Sequence, residues 1–248
     1  MTVLKSQDEI KRMADSCRIV AEVLEGVTKN AESGVTTKEL DDYVEAFILS
    51  KSARPAFKGY RGYPSSVCTS INEEVVHGIP SSRKLKDGDI ISLDIGVYFN
   101  GFYGDAAVTL PIGNISSEAK KLISITEQAL QAGIEKAIAG NRLHDISSAV
   151  QQCVESEGFS VVRNFVGHGI GRDLHENPQV PNFGKTGEGP RLVEGMTLAI
   201  EPMVNAGGWE VSVLDDGWTA VTRDRSLSAH FEHTVAITKN GYNILTKL

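Results

Sequence analysis

The chain has 248 residues at 26.8 kDa, with a hydrophobic fraction of 41% and a charged fraction of 23%. That is the composition of one large or two small globular domains, and it excludes disorder and fibre. The net charge of −7 argues against general nucleic-acid binding, which needs a basic footprint. Cys17, Cys68 and Cys153 are odd in number and widely spaced, so they form neither a disulfide framework nor a CxxC zinc pattern. Cys17 and Cys153 fall on apolar helical stripes and read as core. The opening MTVLKSQDEI is no signal peptide, and no apolar run approaches the roughly 18 residues of a membrane span. A reduced, cytoplasmic chain without membrane partners is expected.

Ser6-Gln7-Asp8-Glu9 reads as a capping box opening a helix to about Thr28, and Thr36-Thr37-Lys38-Glu39 as a second, opening a helix to about Ser50. Gly59 to Pro80 is rich in Gly, Pro, Ser and aromatics, with short strand-like runs. Ile90–Phe99 and Phe102–Leu110 flank Asn100-Gly101, a strong hairpin signal. Helices follow over about Ser117–Ala139 and Asp145–Glu157, and a strand is expected over His230–Ile237. Leu85–Asp94 aligns with Leu192–Glu201 at an offset of 107, and Leu40 and Val44 align with Ile146 and Val150 at 106. The identities are few, so the match has two readings: two unrelated αβ units, or two related halves. The second gives one α+β domain over 1–248, with halves of about 1–112 and 113–248 and a site between them.

A two-residue turn at Asn100-Gly101 makes Asp94 face Ala107 and Asp105 face Gly96. Asp94 and Asp105 then lie diagonally on one face, roughly 7–8 Å apart at the backbone. Either water solvates this pair or a cation lies between its members. Glu201 interrupts the apolar run Leu198–Met203, and buried acids are rare unless paired or metal-bound. In the strand 230–237, His230, Glu232 and Thr234 share a face. His168 stands between glycines in Val166-Gly-His168-Gly-Ile-Gly171; alone it reads as structural, beside four carboxylates as a ligand. Four carboxylates and an imidazole suit Mn²⁺, Fe²⁺, Co²⁺ or Zn²⁺, and their charge matches two such ions. His77 and His175 are left as candidates for proton transfer near a carbonyl.

The sequence resembles the type I methionine aminopeptidases of the pita-bread fold. The resemblance rests on Asn72-Glu-Glu-Val-Val-His77-Gly-Ile-Pro80, on Asp94 and Asp105 eleven apart, and on Gly167-His168-Gly-Ile-Gly-Arg-Asp-Leu-His175-Glu-Asn-Pro. Ile200-Glu201-Pro202 and Phe231-Glu232-His233-Thr234 complete it. It implies a methionyl aminopeptidase that removes initiator methionine ahead of a small second residue. Asp94 would chelate one metal, Asp105 and Glu232 bridge two, and His168 and Glu201 complete the coordination of the second. Glu201 would be the general base, His175 would bond the substrate, and His77 would assist the leaving nitrogen. Tyr60, Tyr63, Cys68 and Trp218, with Phe57 at the edge, would form the methionine pocket; read without the resemblance they are ordinary core.

Phe57 and Leu174 depart from residues found in some members, which bears on pocket shape. The 31-residue gap from Glu201 to Glu232 leaves no space for a helical insertion, and no zinc-binding extension precedes the domain, both features of a bacterial-like type I enzyme. An Xaa-Pro peptidase of the same fold and a metal-free binding protein are the competing readings. The first usually carries an extra N-terminal domain and the second lacks ligands present here. The expected partner is the N-terminus of a nascent polypeptide, and a monomer is expected. The basic stretch Arg83-Lys84-Leu85-Lys86 reads either as a solvated turn or as a transient ribosome contact.

Overall fold

A computed structural model describes residues 2–247. Helices α1 (Gln7–Asn30) and α2 (Thr37–Ser50) are followed by strands β1 (Arg54–Pro55), β2 (Cys68–Ile71), β3 (Glu74–Val76), β4 (Ile90–Phe99) and β5 (Phe102–Pro111). Helices α3 (Ser117–Ile134) and α4 (Leu143–Glu155) precede β6 (Ser160–Val161), β7 (Gly167–Gly169), β8 (Glu176–Val180), β9 (Thr197–Ile200) and β10 (Met203–Asn205). The chain continues through β11 (Val211–Val213), β12 (Ala220–Thr222), β13 (Ser228–His230), β14 (Glu232–Thr238) and β15 (Gly241–Ile244).

Both capping boxes form. Ser6 Oγ accepts from Glu9 N–H at 3.3 Å and the Glu9 carboxylate accepts from Ser6 N–H at 2.8 Å. Thr36 and Glu39 repeat this at α2. Ile10, Met13, Cys17, Val20 and Val27 then form one buried stripe down α1. It settles on the β4–β5 hairpin so closely that a Cβ on Gly104 would lie 2.8 Å from Cys17 Sγ. α3 ends at Ile134 rather than near Ala139, because the chain tightens into three-residue turns (Lys136 N–H to Gly133 O, Ala137 N–H to Ile134 O) that bury Ala137. α4 starts at Leu143, two residues earlier than expected, since the Asp145 carboxylate accepts from Arg142 N–H at 2.7 Å. Its buried stripe is Ile146, Val150 and Val154; Cys153 sits one position off it and is only half-buried, against the expectation of core.

The large antiparallel sheet runs β1-β4-β5-β14-β9-β7-β8, with β2 beside β4 and β15 beside β14. The hairpin has the expected register, Asp94 opposite Ala107 and Gly96 opposite Asp105. Ile91, Leu93, Ile95 and Val97 point into the core shared with α1 and α2, which turns Asp94 and Gly96 to the opposite face. A second core joins α3 and α4 to β9 and β14 through Ile134, Ile146, Leu198, Ile200 and Val235.

The offset of 106–107 residues recurs in the backbone bonds. Gly34 N–H donates to Leu85 O and Leu85 N–H to Val35 O; Gly140 N–H donates to Leu192 O and Leu192 N–H to Asn141 O. Isolated bridges join Thr36 to Lys84 and Arg142 to Arg191.

The strand expected over 230–237 is not continuous. It breaks at Phe231, so His230 ends β13 in a small sheet with β10 and β6, while Glu232 begins β14 in the large one. The cause lies opposite: Glu201-Pro202 separates β9 from β10, and Pro202 has no N–H to carry the ladder on.

Candidate metal centre

Two cross-strand rows build the floor of the site. Cys68, Asp94, Ala107 and Glu232 stand side by side across β2, β4, β5 and β14. One pleat along, Gly96 pairs with Asp105 on β5, and Thr234 with Ala199 and Ala199 with His168 across β14, β9 and β7. Thr234 Oγ1 joins the two parts of this row, accepting from Asp105 N–H at 3.1 Å and donating to Asp105 O at 2.8 Å. Small residues between the polar ones leave the space above the floor open. Phe57 lies directly on Gly96, where a Cβ would come 2.6 Å from its ring.

His168 needs both of its glycine neighbours. A Cβ on Gly167 would lie 2.4 Å from Ala199 O, and one on Gly169 2.4 Å from Asn177 O, so any larger residue would push the adjacent strands apart. The ring Nδ1 is 2.9 Å from Gly169 O, and a carbonyl only accepts, so Nδ1 carries the proton. Nε2 then turns its lone pair to the site, 3.5 Å from Glu201 Oε1. Glu201 follows β9 where the strand is interrupted, its backbone carbonyl accepting from Asn182 Nδ2 at 3.2 Å.

The electrostatics fit a cation. Asp94 Oδ1, Asp105 Oδ1 and Glu232 Oε1 are buried without hydrogen-bond partners, an arrangement costly for a charged carboxylate. Burial lifts Asp94 to about 7, with the Glu201 carboxylate adding to the rise, and burial lifts Glu201 itself to about 7. Asp105 and Glu232 are pushed well up by burial and by the other acids. The cluster therefore holds either protons or cations. Donor atoms of Asp105, His168 and Glu232 converge within 4.8 Å of one another, as do those of Glu201, His230 and Glu232. Glu232 belongs to both triads and Asp94 to neither.

The cavity above the floor is lined by every residue singled out in the sequence: Phe57, Tyr60, Tyr63, Cys68, His77, Asp94, Asp105, His168, His175, Glu201, Trp218 and Glu232. His175 Nδ1 is 2.9 Å from Tyr60 Oη, and its ring lies 4.2 Å from that of His168, centre to centre. Burial, then the neighbouring His168, drops His175 to about 3, so it works as a neutral ring. His77 sits at φ 62°, a left-handed conformation unusual away from glycine, and its ring packs edge-on to Phe165 and Trp218. Burial lowers it to about 4.

Leu174, expected to bear on pocket shape, also lines the cavity, whereas sequence reasoning gave no role to Val76, Phe165 and Met203 in the lining, nor to His230 in a donor triad. Phe165 stands next to the glycine-histidine motif and His230 two residues before Glu232, and that adjacency was the available signal.

The model of "Metallopeptidase family M24" matches residues 11–239. The chain belongs to this family and is a metallopeptidase. Within it, the chain is 56% identical over 246 residues to the methionine aminopeptidase of Clostridium perfringens, covering 99% of each. It is 54% identical over 248 residues to methionine aminopeptidase 1 of Bacillus subtilis, covering 100% of each. The crystal structure of the methionine aminopeptidase from Rickettsia prowazekii superimposes with a TM-score of 0.98 at 42% identity, over 99% of this chain and 100% of that one. A prolidase from Pyrococcus horikoshii shares the fold at a TM-score of 0.81 and 24% identity, this chain spanning 64% of its length. The architecture is the α+β pita-bread fold of these proteins. Among the described residues, no helix is long and apolar enough to cross a membrane.

Proposed function

We propose that this chain removes the N-terminal methionine from newly made polypeptides whose second residue is small. The observation that carries the reading is an aromatic and apolar pocket (Phe57, Tyr60, Tyr63, Cys68, Trp218) opening directly onto the cluster of buried acids and His168. An unbranched thioether suits such a lining through its polarizable sulfur and flexible stem. The small-residue preference is supported by the crowding at His77, hemmed in by Phe165 and Trp218 where the second residue would pass.

Asp94, Asp105, His168, Glu201 and Glu232 would hold two divalent ions of the Co, Mn, Fe or Zn type. Such ions supply Lewis acidity, which acidifies water and polarises a peptide carbonyl. Glu201 takes the proton as the water oxygen bonds to the carbonyl carbon, and releases it toward the leaving nitrogen as the C–N bond breaks. His175, held by the Tyr60 hydroxyl, orients the carbonyl, and neutral His77 faces the departing amine. The chain acts as a cytoplasmic monomer on polypeptides leaving the ribosome. Lys84 and Lys86 are exposed for contact there, while Arg83 is paired with Glu74 at 2.7 Å and Leu85 is buried.

Met-Ala-Ser should lose methionine, Met-Leu-Ser should resist, and Ala-Pro peptides should be untouched. Exhaustive chelation should abolish the reaction and Mn²⁺ or Co²⁺ restore it. Full activity after chelation overturns the reading, and a preference for Ala-Pro peptides replaces it with the Xaa-Pro peptidase.

A further inference from the structure

One imidazole beside the cluster has no assigned role. His230 is 1% exposed, and its Nε2 has no hydrogen-bond partner. That atom is 3.5 Å from Glu201 Oε2, while His168 Nε2 is 3.5 Å from Oε1, so two imidazoles flank the two oxygens of one carboxylate. The distance is beyond a hydrogen bond in this arrangement. Two carboxylates face Nε2, the donor atoms of Glu201 and Glu232 lying in one triad with it. A lone pair aimed at carboxylates would be repelled and an N–H attracted, which puts the proton on Nε2.

The backbone around this ring is fixed from both sides. His230 N–H donates to Thr109 Oγ1 at 2.8 Å, and the Thr109 hydroxyl donates to His230 O at 2.8 Å. Glu201 is held at its backbone by a single longer bond, from Asn182 Nδ2 to its carbonyl at 3.2 Å. It lies between β9 and β10, followed by Pro202, with a side chain of three rotatable bonds. A carboxylate that must present one oxygen beside His168 and keep the other for a proton needs its rotation stopped from outside.

We propose that His230 is a positioning residue: its Nε2–H takes hold of Glu201 Oε2 and so presents Oε1, beside His168, to a bound ion. This rests on the reading of Glu201 as metal ligand and proton acceptor. Orienting partners of metal ligands typically carry 10–100-fold in affinity or activity, which sets the scale of the effect.

The experiment uses the full chain and two variants, His230→Leu, which removes the donor, and His230→Gln, which keeps an N–H at similar reach. Mn²⁺ and Co²⁺ binding is measured by calorimetry, and kcat and KM on Met-Ala-Ser are measured separately. Proton NMR of the Co²⁺-loaded protein counts coordinated imidazoles through their strongly shifted, exchangeable ring N–H signals. Thermal unfolding of the chelated proteins checks that each folds.

His230→Leu should weaken ion binding about 10–100-fold and lower kcat with KM little changed. His230→Gln should recover both to within several-fold, and the wild type should show one shifted imidazole N–H, from His168. Wild-type affinity and kcat in His230→Leu overturn the proposal, as does a His230→Gln protein as impaired as His230→Leu. A second shifted N–H that disappears in His230→Gln also overturns it, by making His230 a ligand itself. A wild type that binds no ion and releases no methionine overturns instead the functional reading beneath it.

Discussion

Asp94 and Glu201 stand at equivalent points of the 107-residue offset, yet the fold treats them in opposite ways. Asp94 is mid-strand in the ten-residue β4, with ladder partners on both sides at Cys68 and Ala107. Its direction is fixed by the pleat, and the same pleat seats its chain neighbours Leu93 and Ile95 in the core behind it. Glu201 stands where its strand has just ended, and its orientation depends on the side chains around it. A regular strand thus supplies a rigid ligand position, and an interrupted one supplies a side chain able to change its proton and partner. That division matches the proposed roles, a purely ligating Asp94 and a Glu201 that also moves a proton.

The comparison can be broken most severely at the floor itself. Asp105→Asn removes a charge from the middle of the cluster; several kcal/mol of transition-state stabilisation correspond to a loss of roughly 10³-fold in kcat/KM. Asp105→Asn with near wild-type turnover and metal content would separate the acids from the chemistry. Gly167→Ala comes next, because the new Cβ would meet Ala199 O at 2.4 Å and part β7 from β9. Overpacking of this kind costs about 1–3 kcal/mol, read in denaturant unfolding, and should lower metal affinity through displacement of His168. Gly104→Ala, 2.8 Å from Cys17 on the helix side of the sheet, should cost similar stability and leave metal affinity alone. Equal effects of the two on metal binding would remove the distinction between the faces.

A smaller, graded effect is expected with pH. In the chelated protein, Asp94 and Glu201 keep their protons to about 7, whereas an unfolded chain releases them near 4. The acids bind more protons folded than unfolded between those limits and so lower the stability of the chelated chain as pH rises, while the buried neutral His77 and His175, protonated only on unfolding, act in the opposite sense below about 6.5. Bound metal would replace those protons and cancel the contribution of the acids, and because the histidines count equally in both states the gap in Tm between Mn²⁺-loaded and chelated protein should widen from about pH 5.5 to about 7.5. A gap independent of pH contradicts the shared burial of the acids. Tyr60→Phe should be mildest, a several-fold fall in kcat/KM from the lost 2.9 Å contact to His175, with metal binding intact.

Much of this was legible in the residues. The Asn100-Gly101 turn fixes a hairpin register through backbone sterics alone, so Asp94 and Asp105 could be placed on one face by counting. Capping boxes at Ser6 and Thr36 are equally local. Less accessible was the division at Phe231, because it is caused by Pro202, distant in the chain and across the sheet. His230 reads as a strand residue until that break is known, and its place against Glu201 follows from tertiary pairing. The end of α3 at Ile134 was likewise set by burial of Ala137, which outweighed the helix-favouring sequence beyond it.

The two routes by which the floor is stitched have a consequence in time. The β4–β5 hairpin pairs residues close in the chain, and such hairpins close in roughly 1–10 μs. The bonds from Asp105 to Thr234 span 129 residues, a separation that folds far more slowly. A hairpin that closed first would bring Asp94 and Asp105 together still wet and ionised, and the docking of β14 would then desolvate them. Docking would in that order be the step opposed by charge and eased by a divalent ion, and refolding with chelator should slow a late phase and leave hairpin closure untouched.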